Sequence, residues 1–244
     1  MKEPEQTHGL WNAIKNRTLP SAIASKFGTE SAQQIAFLRS LNKGLRRPET
    51  LHIQLKELKT AVFDLETTGF HPKQGDEILS FGAVKVEGVQ VQQDETHHVI
   101  AKTSKRIPEE IVNLTGITQE MADQAPPLVE ALHGFMSFVD DRVLIAHCSG
   151  HDKAFLDLAL WKTSKSHLGH RVLDTMMIAQ RLHSDSHMVS LDEWLNWYGI
   201  PITRRHHALE DAKMTAYLWT ALVDQLGERA VYTLGDLYVF LSHS

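Results

Sequence analysis

The chain has 244 residues, 42% of them hydrophobic, and a formal net charge of −5. That content suffices for a full core and excludes disorder throughout; the single cysteine excludes an intramolecular disulfide and fits a reducing, cytoplasmic setting. The net charge excludes a generally basic nucleic-acid coat, yet residues 1–59 carry ten Lys and Arg against five Asp and Glu, and the remainder fifteen against twenty-five.

The opening residues, MKEPEQTHGLWNAIKNR, lack the unbroken apolar core of a signal peptide, and no later run is long enough to cross a bilayer. A soluble protein with no membrane partner is expected. The apolar stretch 10–27 is broken by Pro20 and closed by Gly28, which predicts a short helix on either side of the proline. Over residues 31–47, Ile35, Leu38, Leu41 and Leu45 fall at helical spacing with Arg39, Lys43, Arg46 and Arg47 among them, so an amphipathic helix with a basic side is predicted, ended by Pro48. Residues 1–58 are read as a helical, basic extension and 59–244 as the main domain. The basic side has two readings: a grip on a nucleic-acid strand, or a brace whose cations are solvated.

From Lys59 the pattern changes to short β-like runs separated by glycine, the pattern of an α/β domain. Strands are predicted at 60–66, 78–86 and 89–98, the last two a hairpin turning at Glu87-Gly88, and a buried strand at 142–146. Helices are predicted at 108–113, 128–139 and 152–161, at 190–198 after a capping-box-like Ser-Leu-Asp-Glu, and from 207 to about 226. There is no internal repeat or low-complexity tract.

The run TAVFDLETTGF, residues 60–70, places two acids in an otherwise apolar strand. Alternate strand residues share a face, so Val62, Asp64 and Glu66 point one way and Ala61, Phe63 and Leu65 the other. In a central strand, two like charges this close need a cation or a proton, and hard divalent ions such as Mg²⁺ or Mn²⁺ prefer carboxylate oxygens. The other reading is an exposed edge strand with an acidic face. Asp211 is a second anomaly, sharing a helical stripe with Met214, Leu218 and Leu222; it is either a metal ligand or an N-terminal acid answering the helix dipole. His206, five residues earlier, must enter such a site from the loop, where an imidazole suits general-base work on water. In VLIAHCSGHDKAFLDLAL, residues 143–160, Asp152 opens a helix after a small-residue turn. His147 and His151 are no metal pair on this reading, because Ser149 and Gly150 make the intervening segment a turn and no third His or Cys has matching spacing.

Together these segments resemble the DEDD superfamily of 3′–5′ exonucleases, in particular the histidine-bearing (DEDDh) branch that includes the epsilon proofreading subunits of bacterial replicative polymerases. The resemblance runs from about Lys59 to Leu226. The family's Asp-x-Glu-Thr-Thr-Gly is matched by Asp64-Leu65-Glu66-Thr67-Thr68-Gly69, and its His-x-Ala-x-x-Asp by His206-His207-Ala208-Leu209-Glu210-Asp211. The intermediate motif, commonly Ala-His-Asn-Ala-x-Phe-Asp, reads Ala146-His147-Cys148-Ser149-Gly150-His151-Asp152, which keeps the acid while Cys148 and His151 replace Asn and Phe. Residues 113–118 and 174–182 also look like family segments, the latter giving Asp174 a structural role.

The resemblance implies a ribonuclease H-like fold, a mixed five-stranded sheet flanked by helices, with the acidic segments meeting at one end of the sheet. It implies release of nucleoside monophosphates from single-stranded 3′ ends, DNA favoured, by two Mg²⁺ or Mn²⁺ ions about 3.5–4 Å apart. Asp64 would bridge both ions, Glu66 and Asp211 complete the ligands of the first ion, Asp152 support the second ion, and His206 take a proton from water. Main chain at Thr67, Thr68 and Gly69 and the Phe70 side chain would hold the terminal nucleotide; their other readings are turn formation and core packing. A DNA polymerase or a replication or repair assembly is the implied partner. The alternatives are an RNA-trimming or short-oligonucleotide exonuclease, and a non-catalytic nucleic-acid or polymerase-binding module.

Overall fold

A computed structural model describes residues 29–40, 45 and 47–242. The helices expected within 10–27, and Leu41, Lys43 and Arg46 of the amphipathic pattern, lie outside the described residues. The first described helix, α1, spans Thr29–Ser40, and Pro48 opens a 3₁₀ turn, Pro48–His52.

Five strands form one mixed sheet in the order β3-β2-β1-β4-β5, as the ribonuclease H-like expectation requires. They are β1 (Lys59–Thr67), β2 (Ile78–Glu87), β3 (Gln90–Ile100), β4 (Val143–Ala146) and β5 (Val172–Asp174). The β1–β2 and β2–β3 pairs are antiparallel, with Gly88 at φ 63° in the hairpin turn. Strands β1, β4 and β5 run parallel, so the connections between them cross over through helices. The first crossover carries α2 (Glu109–Thr115), α3 (Gln119–Gln124) and α4 (Leu128–Val139). The second carries α5 (Gly150–Ser164). After β5 come α6 (Thr175–Leu182), α7 (Leu191–Trp197), α8 (Ala208–Glu228) and α9 (Leu234–Ser242).

Strand β1 is central, which overturns the edge-strand reading of its acids. Its period-2 pattern divides between two cores. Ala61, Phe63 and Leu65 pack with Leu38 of α1 and with Phe135, Phe155 and Leu156 of α4 and α5. Val62 packs on the other face with Trp194, Leu218, Trp219 and Leu222 of α7 and α8. Of the segment before β1, Leu38 joins the first core and Leu55 and Leu58 the second. No described helix is long and apolar enough to cross a membrane.

One contact sets where α8 begins. Gly82 of β2 stands opposite Asp64 in the sheet register, and a Cβ at Gly82 would overlap the backbone of Ala208 and Leu209. Only a glycine lets the first turn of α8 lie on the sheet beside Asp64. Gly82→Ala is expected to push that turn away and to lower stability by about 1–3 kcal/mol through overpacking. Urea denaturation of the variant with an unchanged midpoint would show that the helix start is not set there.

Candidate active site

The acids converge where the sheet topology brings three chain segments together. Asp64 and Glu66 come from β1, Asp152 from the first turn of α5 just after β4, and Asp211 from the first turn of α8. All four line one pocket of about 420 Å³, with His206 on its wall. Asp64, Glu66 and Asp211 each offer an oxygen, the three atoms lying within 4.8 Å of one another. Glu66, Asp152 and Asp211 are buried.

Crowding and burial act in the same direction on these carboxyls, both disfavouring the charged form. Burial, then Asp152, Glu66 and Asp211, raise Asp64 well above the ordinary carboxylate range. Glu66 is raised to about 7, chiefly by burial and next by Asp211. Asp152 rises to about 8, burial again leading, although backbone amides at Asp152 and Leu65 hydrogen-bond it and act the other way. Burial also raises Asp211, against the pull of Arg205 and of the His206 amide. Three oxygen donors so close, on carboxyls that resist ionising together, fit a hard divalent cation.

His206 reaches the pocket from the loop, as its spacing predicts. Its φ is 56°, and its backbone N–H donates to Asp211 Oδ2 at 2.8 Å. His207, the N-cap of α8, accepts from the Glu210 amide and faces away against His98, with ring centroids 4.5 Å apart. Asp211 sits in the first turn of a helix and lines the pocket, a position that leaves both of its sequence readings open.

The TTGF segment divides. Thr67, Gly69 and Phe70 line the pocket. Thr68 is buried, donating its N–H to the Glu77 carbonyl at 2.9 Å and accepting the Glu77 amide on Oγ1 at 3.0 Å, so it pins the turn. Phe70 is 73% exposed, which removes core packing as its role; its ring lies 5.7 Å from that of His151. His151 Nε2 lies 3.4 Å from Thr67 Oγ1.

His147 and His151 do not pair. His147 Nδ1 lies 3.0 Å from Thr175 Oγ1, and its Nε2 lies 3.2 Å from the Val189 carbonyl. It ties the loop before α7 to the pocket wall. Cys148, with φ 56°, has its thiol pushed up to about 11 by burial and by Asp174 and Asp152, so it is a poor nucleophile. Asp174 accepts from the amides of Cys148 (3.1 Å), Ser149 (2.8 Å) and Met176 (2.9 Å), which is the structural role the resemblance implied.

Arg205 was not singled out by the sequence. Its Nη1 donates to Asp211 Oδ1 and its Nε to Asp192 Oδ1, the latter at 2.5 Å. The signal was weak, since an arginine in an Arg-Arg-His-His loop reads as surface charge. Val189 also lines the pocket without a sequence cue, and Leu114, within the 113–118 segment, and Leu191 line it too.

The carboxyl shifts carry a sign for stability without metal. Glu66, ordinarily at 4.5, holds its proton to about 7 in the folded state. Below the ordinary value the carboxyl is neutral folded or unfolded. Between the two values only the unfolded chain has released the proton, so folded stability falls as pH rises through this window. Asp152 continues the same slope toward about 8. In chelator, the melting temperature is expected to be lower near pH 8 than near pH 5, and Glu66→Gln should flatten the lower part of that fall. Identical pH profiles for the two proteins would contradict the crowding.

The RNase T family model, described as Exonuclease, matches residues 61–219. A PolC-type DNA polymerase III of Thermotoga maritima is 33% identical over 176 residues, 72% of this chain and 13% of that protein. The PolC-type polymerase of Staphylococcus aureus is 29% identical over 191 residues, 78% of this chain and 13% of its own length. The chain therefore spans a small part of these curated relatives. Among solved structures, cell-death related nuclease 4 has TM-score 0.62 at 15% identity, covering 70% of this chain and 66% of its own. Exonuclease X in complex with 5′ overhanging duplex DNA has TM-score 0.58 at 18% identity, covering 76% and 99%. The nuclease domain of 3′hExo, a DEDDh family member bound to rAMP, has TM-score 0.61 at 17% identity, covering 68% and 92%. At these identities the solved structures establish a shared fold, and the family match establishes membership: the chain belongs to the RNase T family of exonucleases.

Proposed function

We propose that the chain is a metal-dependent 3′–5′ exonuclease that releases nucleoside monophosphates from single-stranded ends, DNA favoured. The observation that carries this reading is the convergence of four carboxyls, from three segments and three of them buried, in one pocket with His206 on its wall. Asp64, Glu66 and Asp211 would hold one Mg²⁺ or Mn²⁺ ion, and Asp64 with Asp152 a second. Bound there, divalent ions supply activation of water and neutralisation of charge on the reacting phosphate.

The chain's own groups do the rest. His206 takes the proton of the attacking water, and the hydrogen bond from its backbone N–H to Asp211 keeps it at the pocket wall. Phe70 offers an exposed face on which a terminal base stacks, and Thr67 and Gly69 present main chain to the sugar. Thr68 supports the same subsite by fixing the turn to Glu77.

The PolC-type relatives are DNA polymerases, which supports DNA as substrate and a polymerase or repair assembly as partner. RNA trimming is the second reading, favoured by a fold neighbour whose structure holds rAMP. The single cysteine supports a reducing, cytoplasmic setting. For residues 1–58, the buried Leu38, Leu55 and Leu58 and the 2.8 Å bond from Arg39 Nε to the Ser164 carbonyl support a brace.

A 5′-labelled single-stranded oligonucleotide is expected to shorten stepwise from its 3′ end with Mg²⁺ or Mn²⁺ and to stay intact in chelator. DNA and RNA of several lengths in the same assay distinguish the two substrate readings, and no product under any metal condition would leave a binding module. Asp64→Ala is expected to abolish turnover while leaving the fold intact, because it relieves crowded charge. His206→Ala should lower kcat by roughly 10²–10⁴-fold, the usual contribution of a general base; full activity in either variant would refute its assigned role.

A further inference from the structure

Arg205 is the one lysine or arginine among the described residues lining the acidic pocket. Its guanidinium spans two helix starts, with Nη1 on Asp211 of α8 and Nε on Asp192 of α7. The two anchors differ in surroundings: the Asp211 side chain is 4% exposed, that of Asp192 49%. Asp211 is also one of the three acids whose oxygens meet within 4.8 Å, so the guanidinium occupies a carboxylate that a divalent ion would need. An arginine fork joins two acids through separate nitrogens, and losing one bond leaves the other in place.

We propose that Arg205 is a positioning residue that acts as the resident counter-ion of the site: it holds Asp211 in the metal-free protein and yields that carboxylate to an entering divalent ion while staying tied to Asp192. The inference rests on the metal reading of the pocket. Its physical basis is competition. Both cations favour the same buried oxygens, the divalent ion carries twice the charge, and Asp192 offers the guanidinium a wetter place to remain. Arg205 thereby steadies Asp211 and the His206 loop before loading and sets how readily the site loads.

Competition makes opposite demands on two substitutions that mere bracing would not. Removing the competitor in Arg205→Gln should tighten Mn²⁺ binding, and removing its outer anchor in Asp192→Asn should weaken it by committing the guanidinium to Asp211. Each shift is expected to be about two- to tenfold in Kd, the scale of a partly exposed ion pair. Isothermal titration of the whole 244-residue chain with Mn²⁺, without nucleic acid, measures both. Arg205→Gln should also melt at a lower temperature than wild type in chelator. Tighter binding in Arg205→Gln with weaker binding in Asp192→Asn supports the proposal; any other pair of directions, or no shift, overturns it. If Arg205→Gln does not fold without metal, Asp192→Asn decides alone. Asp211→Asn separates the two levels of inference: wild-type Mn²⁺ affinity in that variant removes the metal reading itself, whatever Arg205 does.

Discussion

Repulsion among buried carboxyls is the constraint around which this molecule is arranged. Two unit charges about 4 Å apart repel by roughly 4 kcal/mol at the effective dielectric near a protein surface, and here three acids bring oxygens within 4.8 Å. No flexible scaffold would hold them together without a cation. The fold answers by placing each acid on an element fixed by apolar packing. Strand β1 is central, with a core on either face. Helix α8 is anchored along its length by Leu218, Trp219 and Leu222, and its first turn meets the sheet at Gly82. Helix α5 is held by Phe155 and Leu156. The cores keep the acids close.

Backbone conformation is recruited to the same end. Two residues at the pocket, Cys148 and His206, adopt left-handed φ near 56°, a region that costs a non-glycine residue about 1–2 kcal/mol. Each donates its strained amide to an aspartate: Cys148 to Asp174 at 3.1 Å, His206 to Asp211 at 2.8 Å. The first bond turns the chain sharply out of β4 so that α5 can present Asp152. The second turns it into α8 so that His206 and Asp211 enter the pocket from adjacent directions. Strain at these two points is thus offset by charge-assisted hydrogen bonds.

What the sequence made legible follows from which signals are local. The alternation in β1 was readable because a strand has period two, and the core residues fall on the faces it assigns. The 128–139 helix was read with its observed bounds, its apolar positions recurring at helical spacing. Strand β5, three residues long, and the six-residue α3 are too short to show any period and were missed. The C-terminal helix α9 was missed because its mostly apolar run has little contrast between faces. At the site, the acids and His206 were legible through motif order. Thr68 was not separable from its neighbours, because only the turn geometry reveals that it faces Glu77. Arg205 was invisible for a different reason: its meaning lies in Asp192 and Asp211, which flank it by thirteen and six residues on two different helices.

A net charge of −5 looks adverse for a polyanion ligand until charge is counted locally. The pocket lining holds four carboxyls against a single guanidinium, and burial already opposes full ionisation of the acids. A phosphate approaching that surface without metal meets low potential at best. On the metal reading of the pocket, a divalent ion held by these acids would offset two carboxylate charges, so the same acids that repel one another would be the reason cations, and then phosphate, collect there. Arginine alone cannot do this, since its single charge is shared between Asp192 and Asp211. On the proposed function, the acidity of the domain is a requirement of handling nucleic acid through cations, and the attraction for substrate is conditional on their presence.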